Sequence, residues 1–575
     1  MSVKYYGIYL AYPPTVNLKH EGLGRYLASF LKGAADRQDV CFIIACPSWS
    51  RQSLIELFKS ENVPESNFKI VSPASIPYIL RCYEFYSSLR KRKQKSGRLS
   101  RIFKTEIKPR LLRIVRRSTK KLVQARTFSS LLKLIFDPGV LLLMLLGLCF
   151  PALVVIAFVI ALGVYLYKTF DGKKLKKLTL FKSFERRTEQ AVSRLDTPKD
   201  SRVLVRLFKL MEEIEIQQLH QLIDQQTQVR AWYAPTAFWP SFNRIQGPKL
   251  MCVPDVVLSE FPIGFCDIGG NRFLDNFKAL ESAIYAGKYF AVYSETIKWK
   301  VLVDRYGIDP ENIAVIEHAP STLDSFVLPM HEQGKRAESL SRAYCHNLIG
   351  QALSRSKNSY IRNFINVEFR FLFYASQFRP NKNIITLLRA YVHLLRKNLR
   401  PHKLILTGDT KAFKGVQEFI IKHSLQKEVF CLHGLSVEEL AAFYKSADLV
   451  VNPSLSEGGC PFTFTEALSV GTPVVMSRIS VAEEVLTDPL LQKFSFFDPY
   501  SWEDMASKME WAIQHRQQLL DIQSKTFEQL RHRNWTHVVN EHIKVLEDIS
   551  SGQQLLKSST ACESAPTEIS VELVN

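Results

Sequence analysis

Two glutamates nine positions apart, Glu457 and Glu466, flank a segment that holds a glycine pair, Gly458 and Gly459, and a proline, Pro461. The surrounding stretch 447–476, ADLVVNPSLSEGGCPFTFTEALSVGTPVVM, reads as strand, loop, helix and strand. Its apolar run 449–451 ends at Asn452-Pro453, Pro461 stands where a first helical turn begins, and the helix stops at Gly471 before a second apolar run, 474–476. In such units ligands bind beyond the carboxyl ends of parallel strands, where loop amides and a helix N-terminus hold an anion. Glu457 and Glu466 therefore face a phosphate-binding crevice. A second place for close approach lies near the N-terminus, where Glu21-Gly22-Leu23-Gly24-Arg25 follows an apolar run. Gly22 and Gly24 there either admit a phosphate to the backbone or form a plain tight turn.

The elements that must position these residues follow a βα alternation. Residues 4–12 and 40–46 read as buried parallel strands with a helix over 24–35 between them, and 68–71 as a third strand. After a break the pattern resumes with an amphipathic helix at 203–223 and short apolar runs at 231–234, 249–253, 289–292 and 313–316. A helix is expected over 273–286. A second series follows: strand 369–375, helix 384–397, strand 403–407, helix 411–424, strand 429–432 and helix 437–446, then the stretch with the two glutamates and one long amphipathic helix over 517–549. At 575 residues two large domains and an insertion are expected. The boundaries are a first α/β domain over 1–86 and 190–330, an insertion over 87–189, a linker and helix over 331–366, a second α/β domain over 367–550 and a polar, disordered tail over 551–575.

The formal charge of +21 is local. Residues 90–126 hold sixteen Lys or Arg against Glu106, and 168–187 hold eight against Asp171 and Glu185, so these windows carry the whole net charge. Between them lies an uncharged apolar block, 140–167. That placement indicates an anionic membrane surface, not nucleic acid. Leu99, Ile102, Phe103, Ile107, Leu111, Ile114 and Val115 recur among the cations at roughly helical spacing, as in a helix lying on a bilayer. The block is long enough for one crossing, at about 20 residues per span. Pro151 near its middle also permits a bent re-entrant pair, which the cationic flanks on both sides favour. The ten cysteines show no CxxC pair and no His at ligand spacing, so a reduced compartment is expected and a structural metal is not. The first residues, MSVKYYGIYLAYPP, lack the charged head and long apolar core of a signal peptide.

Several ordered motifs resemble the GT-B glycosyltransferases of the large retaining family four. They are FYASQFRPNKN (373–383), LILTGD (404–409), the run HGLSVEELAAFYKSADLVVNPSLSEGG with EALSVGTPVV, CVPDVVLSEFP (252–262) and VYSETIKWKVLVDRYGIDPENIAVIEHAP (292–320). The resemblance implies two doubly wound Rossmann-like domains facing across a cleft, with the basic, membrane-inserting helical insertion carried by the first. It implies transfer of a hexosyl group, mannosyl being one choice, from a GDP- or UDP-linked sugar with retention of configuration. No metal and no cofactor besides the donor is implied. Lys382 would hold the diphosphate with Arg379, Glu457 would contact the donor sugar, and Glu466 would accept from the ribose hydroxyls. Gly22, Gly24, Gly408, Gly458 and Gly459 would line the donor site.

Three positions depart from the family pattern. Eight residues separate the two glutamates where seven are usual, Gln377 stands where an arginine is usual, and Pro254 replaces a histidine, for which His20, His318 or Asp255 could stand in. With the basic insertion, the resemblance implies a membrane-associated enzyme of polysaccharide biosynthesis. It would act at the cytoplasmic face on a lipid-linked or glycan acceptor, with anionic lipids as partners and no nucleic acid. The competing reading is a catalytically silent relative that scaffolds a glycan-assembly complex.

Overall fold

The structure is a computed structural model, which describes residues 3–14, 16, 18, 22–77, 80, 202–269, 271–327, 334–410 and 413–553. The expected insertion over 87–189 and the tail beyond Gln553 lie outside these residues, as do His20 and Glu21. Among the described residues no helix is long and apolar enough to cross a membrane. By internal contacts the chain divides into one unit of Met1–Ser75 with Ile214–Asn575, which contains both sheets, and another of Ile76–Glu213. Of the second unit little beyond the first part of one helix is described.

Strands buried on both faces need nearly continuous apolar runs. β2 (Val40–Ala45, VCFIIA) meets that requirement, with all its residues buried. It joins β1 (Lys4–Tyr9), β3 (Phe68–Val71), β4 (Val229–Ala234), β5 (Lys249–Cys252), β6 (Tyr289–Val292) and β7 (Ile313–Val315). They form a seven-stranded sheet in the order β3-β2-β1-β4-β5-β6-β7, with every neighbouring pair parallel. The direction of winding reverses between β1 and β4. Helices α1 (Gly22–Gly33), α2 (Ser48–Ser60), α3 (Arg202–Asp224) and α4 (Asn271–Ala286) belong to this half of the chain.

The second sheet repeats the plan. β8 (Phe371–Tyr374), β9 (Lys403–Leu406), β10 (Val429–Cys431), β11 (Leu449–Asn452), β12 (Val474–Ser477) and the two-residue β13 (Phe496–Phe497) run parallel in the order β10-β9-β8-β11-β12-β13, reversing between β8 and β11. Its helices are α5 (Gly334–Ser354), α6 (Ile384–Arg396), α7 (Lys414–Lys422), α8 (Val437–Ser446), α9 (Phe462–Ser469), α10 (Trp502–Gln514) and α11 (Arg516–Arg531). Helix α6 shows why these segments fold as they do. Ile384, Leu387, Leu388, Tyr391 and Leu394 recur at helical spacing and form one buried stripe. Two doubly wound α/β sheets are thus present, in keeping with the expected GT-B class.

Two local expectations need correction. Gly22 and Leu23, expected ahead of a helix over 24–35, already belong to the first turn of α1. The long helix expected over 517–549 is two helices, α11 and α12 (Trp535–Ser551), broken at 532–534. The break has a local cause: the Asn534 side chain caps α12 by accepting from the His537 N–H, and His537 Nδ1 accepts from the Asn534 N–H in return. Capping turns the chain, and α12 leaves the second sheet for the first. Val538, Val539, Ile543, Leu546 and Ile549 enter the core around β1 and β4, while Lys4 Nζ meets Glu547 at 2.5 Å. Ile543 is 2% exposed, so Ile543→Ala deletes well-packed methylenes. The variant is expected to lose about 2–5 kcal/mol in urea unfolding, and a loss below about 0.5 kcal/mol would show that α12 is only loosely docked.

Candidate functional site

Loops leaving adjacent strands at a switch point diverge and open a crevice at the carboxyl edge of the sheet. In the second sheet those loops follow β8 and β11, and they carry Lys382 and Glu457. After β8, Pro380–Lys382 makes one tight turn that ends at Asn383, whose φ of 51° is a left-handed conformation that asparagine tolerates. The Leu455 N–H donates to the Asn381 carbonyl at 2.8 Å and joins the two loops. Lys382 Nζ donates to Glu457 Oε1 at 2.7 Å and to Ser454 Oγ at 3.2 Å. Burial opposes the ammonium charge, yet Glu457, Tyr374 and Asp255 together outweigh it and hold the Lys382 pKa above its ordinary value. Lys382 is therefore a fixed cation at the switch point.

Arg379, the other expected cation, is exposed, and its Nη2 donates to Gln377 Oε1 at 3.0 Å. Glu466 lies in the second turn of α9 and is 7% exposed. It accepts from Ser321 Oγ at 3.0 Å, in the segment that joins the two sheets. Burial raises its carboxyl pKa, while Arg25 and the Ser321 hydroxyl act in the opposite direction. Arg25 comes from the first turn of α1, so the turn that holds Gly22 and Gly24 does face the glutamate across the cleft. Gly22 is open to solvent, whereas a Cβ at Gly24 would lie 2.2 Å from the Leu18 carbonyl oxygen. Gly24 thus serves close packing of the entry to α1.

The loop between the glutamates is pressed against the first sheet. A Cβ at Gly458 would fall 1.6 Å from the Pro254 carbonyl oxygen, and one at Gly459 would meet Tyr293 at 2.8 Å and His318 at 3.0 Å. Ser294 Oγ donates to the Gly458 carbonyl at 3.1 Å. Segments following β5, β6 and β7 therefore close over Glu457 to Cys460. Gly408 has a different part, since a Cβ there would overlap the buried Phe378 ring at 2.1 Å. It makes room for the aromatic that backs the Arg379 turn. His318 is enclosed by Tyr293 and Phe462, and burial pushes its pKa down to about 4.

The structure thus brings Lys382, Glu457, Gly458, Gly459 and Asp255 together, and places Glu466 beside Arg25. Sequence reasoning missed Arg25 and Ser321 as neighbours of Glu466, and Ser454 as a partner of Lys382. Arg25 adjoins the glycines already singled out, which was the available signal; the two serines carry none. Asn381 Oδ1 is buried with no hydrogen-bond partner among the described residues, and the buried Tyr374 and Tyr444 hydroxyls approach Ser376 and Glu466. The two tyrosines lie beside Lys382 and Glu466 respectively. Buried polar atoms are normally paired, so the orphaned Asn381 oxygen and the polar groups around it at this edge suit a polar ligand. A fixed ammonium and a carboxylate pair can hold an anion joined to a polyhydroxylated group. A cavity of about 650 Å³ lies at the opposite edge of the same sheet, lined by Arg342, Lys445, Asp448 and Arg516. Arg516 there donates to the Asp448 carbonyl and Lys445 lies in the last turn of α8, so these cations serve chain ends.

Residues 357–529 match the family model described as glycosyl transferases group 1. The chain is 34% identical over 108 residues to the O-antigen chain mannosyltransferase RfbU of Salmonella typhimurium, a match that covers 19% of this chain and 30% of that protein. It is 26% identical to the lipopolysaccharide 1,2-N-acetylglucosaminetransferase of the same organism, over 28% of this chain and 52% of the relative. The chain therefore spans about a third to a half of the length of these curated relatives. Among solved structures, the N-terminal domain of Candida albicans trehalose-6-phosphate phosphatase is similar in fold. The TM-score is 0.51 at 10% identity, over 96% of this chain and 97% of that one.

Two measurements test this geometry. Gly458→Ala is expected to part the loop from Pro254, and so to enlarge the radius of gyration in small-angle scattering; an unchanged profile would show that the contact relaxes locally. The second concerns His542, buried among Phe30, Tyr26 and Tyr233, where burial lowers its pKa from 6.5 to about 4. A histidine whose folded pKa is depressed takes its proton in the unfolded chain first, so its contribution to stability is lost as pH falls from about 6.5 towards 4. His542→Gln should be less stable at pH 7 yet lose less on acidification to pH 5, the slopes differing by up to about 1.4 kcal/mol per pH unit. Parallel slopes in urea titrations would refute the assignment.

Proposed function

We propose, from the match of residues 357–529 to the model of glycosyl transferases group 1, that this protein transfers a hexosyl group from a nucleotide sugar to a lipid-linked or glycan acceptor, with retention of configuration. The observation that carries the reading is the Lys382–Glu457 pair at the switch point of the second sheet. When the bond between the sugar and the diphosphate breaks, negative charge grows on the leaving group, and a preorganised cation there lowers the barrier. Lys382 is that cation, with Arg379 as a second one at the rim. Glu457 holds the lysine in place before the donor arrives and then faces the sugar. Glu466, deeper and beside Arg25, takes the ribose.

Two relatives named for transfer of mannose and of N-acetylglucosamine, in O-antigen and in lipopolysaccharide, support a role in surface-glycan assembly. On that basis a mannosyl donor is the first choice, and GDP- and UDP-linked sugars are the panel to test. The basic windows that flank the apolar block in the sequence support attachment to the cytoplasmic face of a membrane, where lipid-linked acceptors reside.

Donor profiling by mass spectrometry, with a lipid extract as acceptor source, should find one nucleotide sugar consumed. Lys382→Ala is expected to lower kcat by about 10²–10³. Glu466→Ala should chiefly weaken binding of the nucleoside diphosphate. If the wild-type protein neither binds nor turns over any donor, and a Glu466→Ala strain makes unchanged glycan, the protein is a scaffold and the proposal fails.

A further inference from the structure

The cleft holds a second carboxylate on the side of the first sheet. Past the end of β5, the Val253 N–H donates to the Ala291 carbonyl at 2.9 Å and keeps the chain extended. The Pro254 carbonyl then abuts Gly458, and this contact delivers Asp255 to the Lys382–Glu457 pair. The charged groups that face Asp255 are Lys382, Glu457 and Arg379, all from the second domain, and the Val257 backbone N–H lies on its own loop. Burial and Glu457 raise its pKa, and the two cations and the amide counter them.

A carboxylate here cannot serve the diphosphate of a donor, because like charges repel at this range. The part of a nucleotide sugar that suits it is the uncharged sugar, whose hydroxyls are hydrogen-bond donors. An ionised carboxylate offers two oxygens with about four acceptor sites and makes charge-assisted bonds to such hydroxyls. Glu457, its counterpart on the facing domain, has one oxygen committed to Lys382. Asp255 has no such ion pair within hydrogen-bond distance among the described residues and is the freer of the two.

We propose that Asp255 is a specificity-determining residue of the cleft, which accepts hydrogen bonds from hydroxyls of the transferred sugar across from Glu457. The inference rests on the donor-site reading above and adds to it how the sugar is chosen. Asp255 discriminates by hydroxyl pattern: a donor that lacks the contacted hydroxyl leaves the half-buried carboxylate without that partner and is disfavoured.

The test crosses enzyme variants with donor variants. UDP-glucose, UDP-galactose, UDP-N-acetylglucosamine and GDP-mannose are screened first, and the monodeoxy analogues of the donor turned over are then compared on wild type, Asp255→Asn and Asp255→Ala. Asp255→Ala is expected to lower kcat/KM about 10²-fold or more on the full donor, with little further loss on the analogue that lacks the contacted hydroxyl. Asp255→Asn, nearly the same shape, should fall between, and UDP or GDP alone should bind all three proteins equally by calorimetry. Equal losses on every analogue, or weakened binding of the bare nucleoside diphosphate, would mark Asp255 as a cleft-closing ion pair and overturn the proposal. A wild type inert towards every donor would instead overturn the transferase reading, and this inference with it.

Discussion

An ammonium group drawn largely out of water is costly unless a counter-charge stands beside it, and that constraint governs the second domain. Lys382 remains charged because Glu457 meets it at 2.7 Å, and the two can meet only because their loops leave neighbouring strands at the point where the winding reverses. The turn at Pro380–Lys382, the left-handed Asn383, the hydrogen bond from Leu455 to Asn381 and the ring of Phe378 over Gly408 all fix where that ammonium sits. The apolar strands behind them provide rigidity, and the loops carry the Lys382–Glu457 pair.

The two halves of the molecule meet along several hydrogen-bonded seams. Glu484 accepts from the N–H groups of Glu295 and Thr296 and from the Thr296 hydroxyl, Ser456 Oγ donates to Glu260, and Ser321 is bonded to both Thr465 and Glu466. Most of these groups are polar and partly exposed. Such seams fix register without the large apolar contact that would make separation costly. The glutamate loop is thereby presented to Pro254, Ser294 and His318 as a surface that fits rather than one that is fused.

The sheet strands were legible because a strand buried on both faces leaves an unbroken apolar run, as in VCFIIA or LVVN. The motifs that carry Lys382 and Glu457 are local and ordered too, and the structure brings those two side chains into contact. The two-residue β13 was not legible, since Phe496-Phe497 is too short to carry a period. The break between α11 and α12 was hidden for another reason. His532-Arg533-Asn534 interrupts neither the amphipathic pattern nor the charge, and only the reciprocal cap of Asn534 and His537 shows where the chain turns. Contacts such as Arg25 with Glu466, more than four hundred residues apart, depend on two domains meeting and leave no trace in spacing.

The return of α12 to the first sheet sets an order of assembly. Lys4 and Tyr6 on β1 are joined to Glu547 in the last described helix, and the aromatic surface of Tyr26, Phe30 and Tyr233 is covered by His542. A chain emerging from the ribosome makes that sheet first and its cover last. Through most of synthesis the first domain therefore exposes the apolar face that residues 535–551 cover. The domain that begins the chain becomes complete only after the domain that follows it has been made.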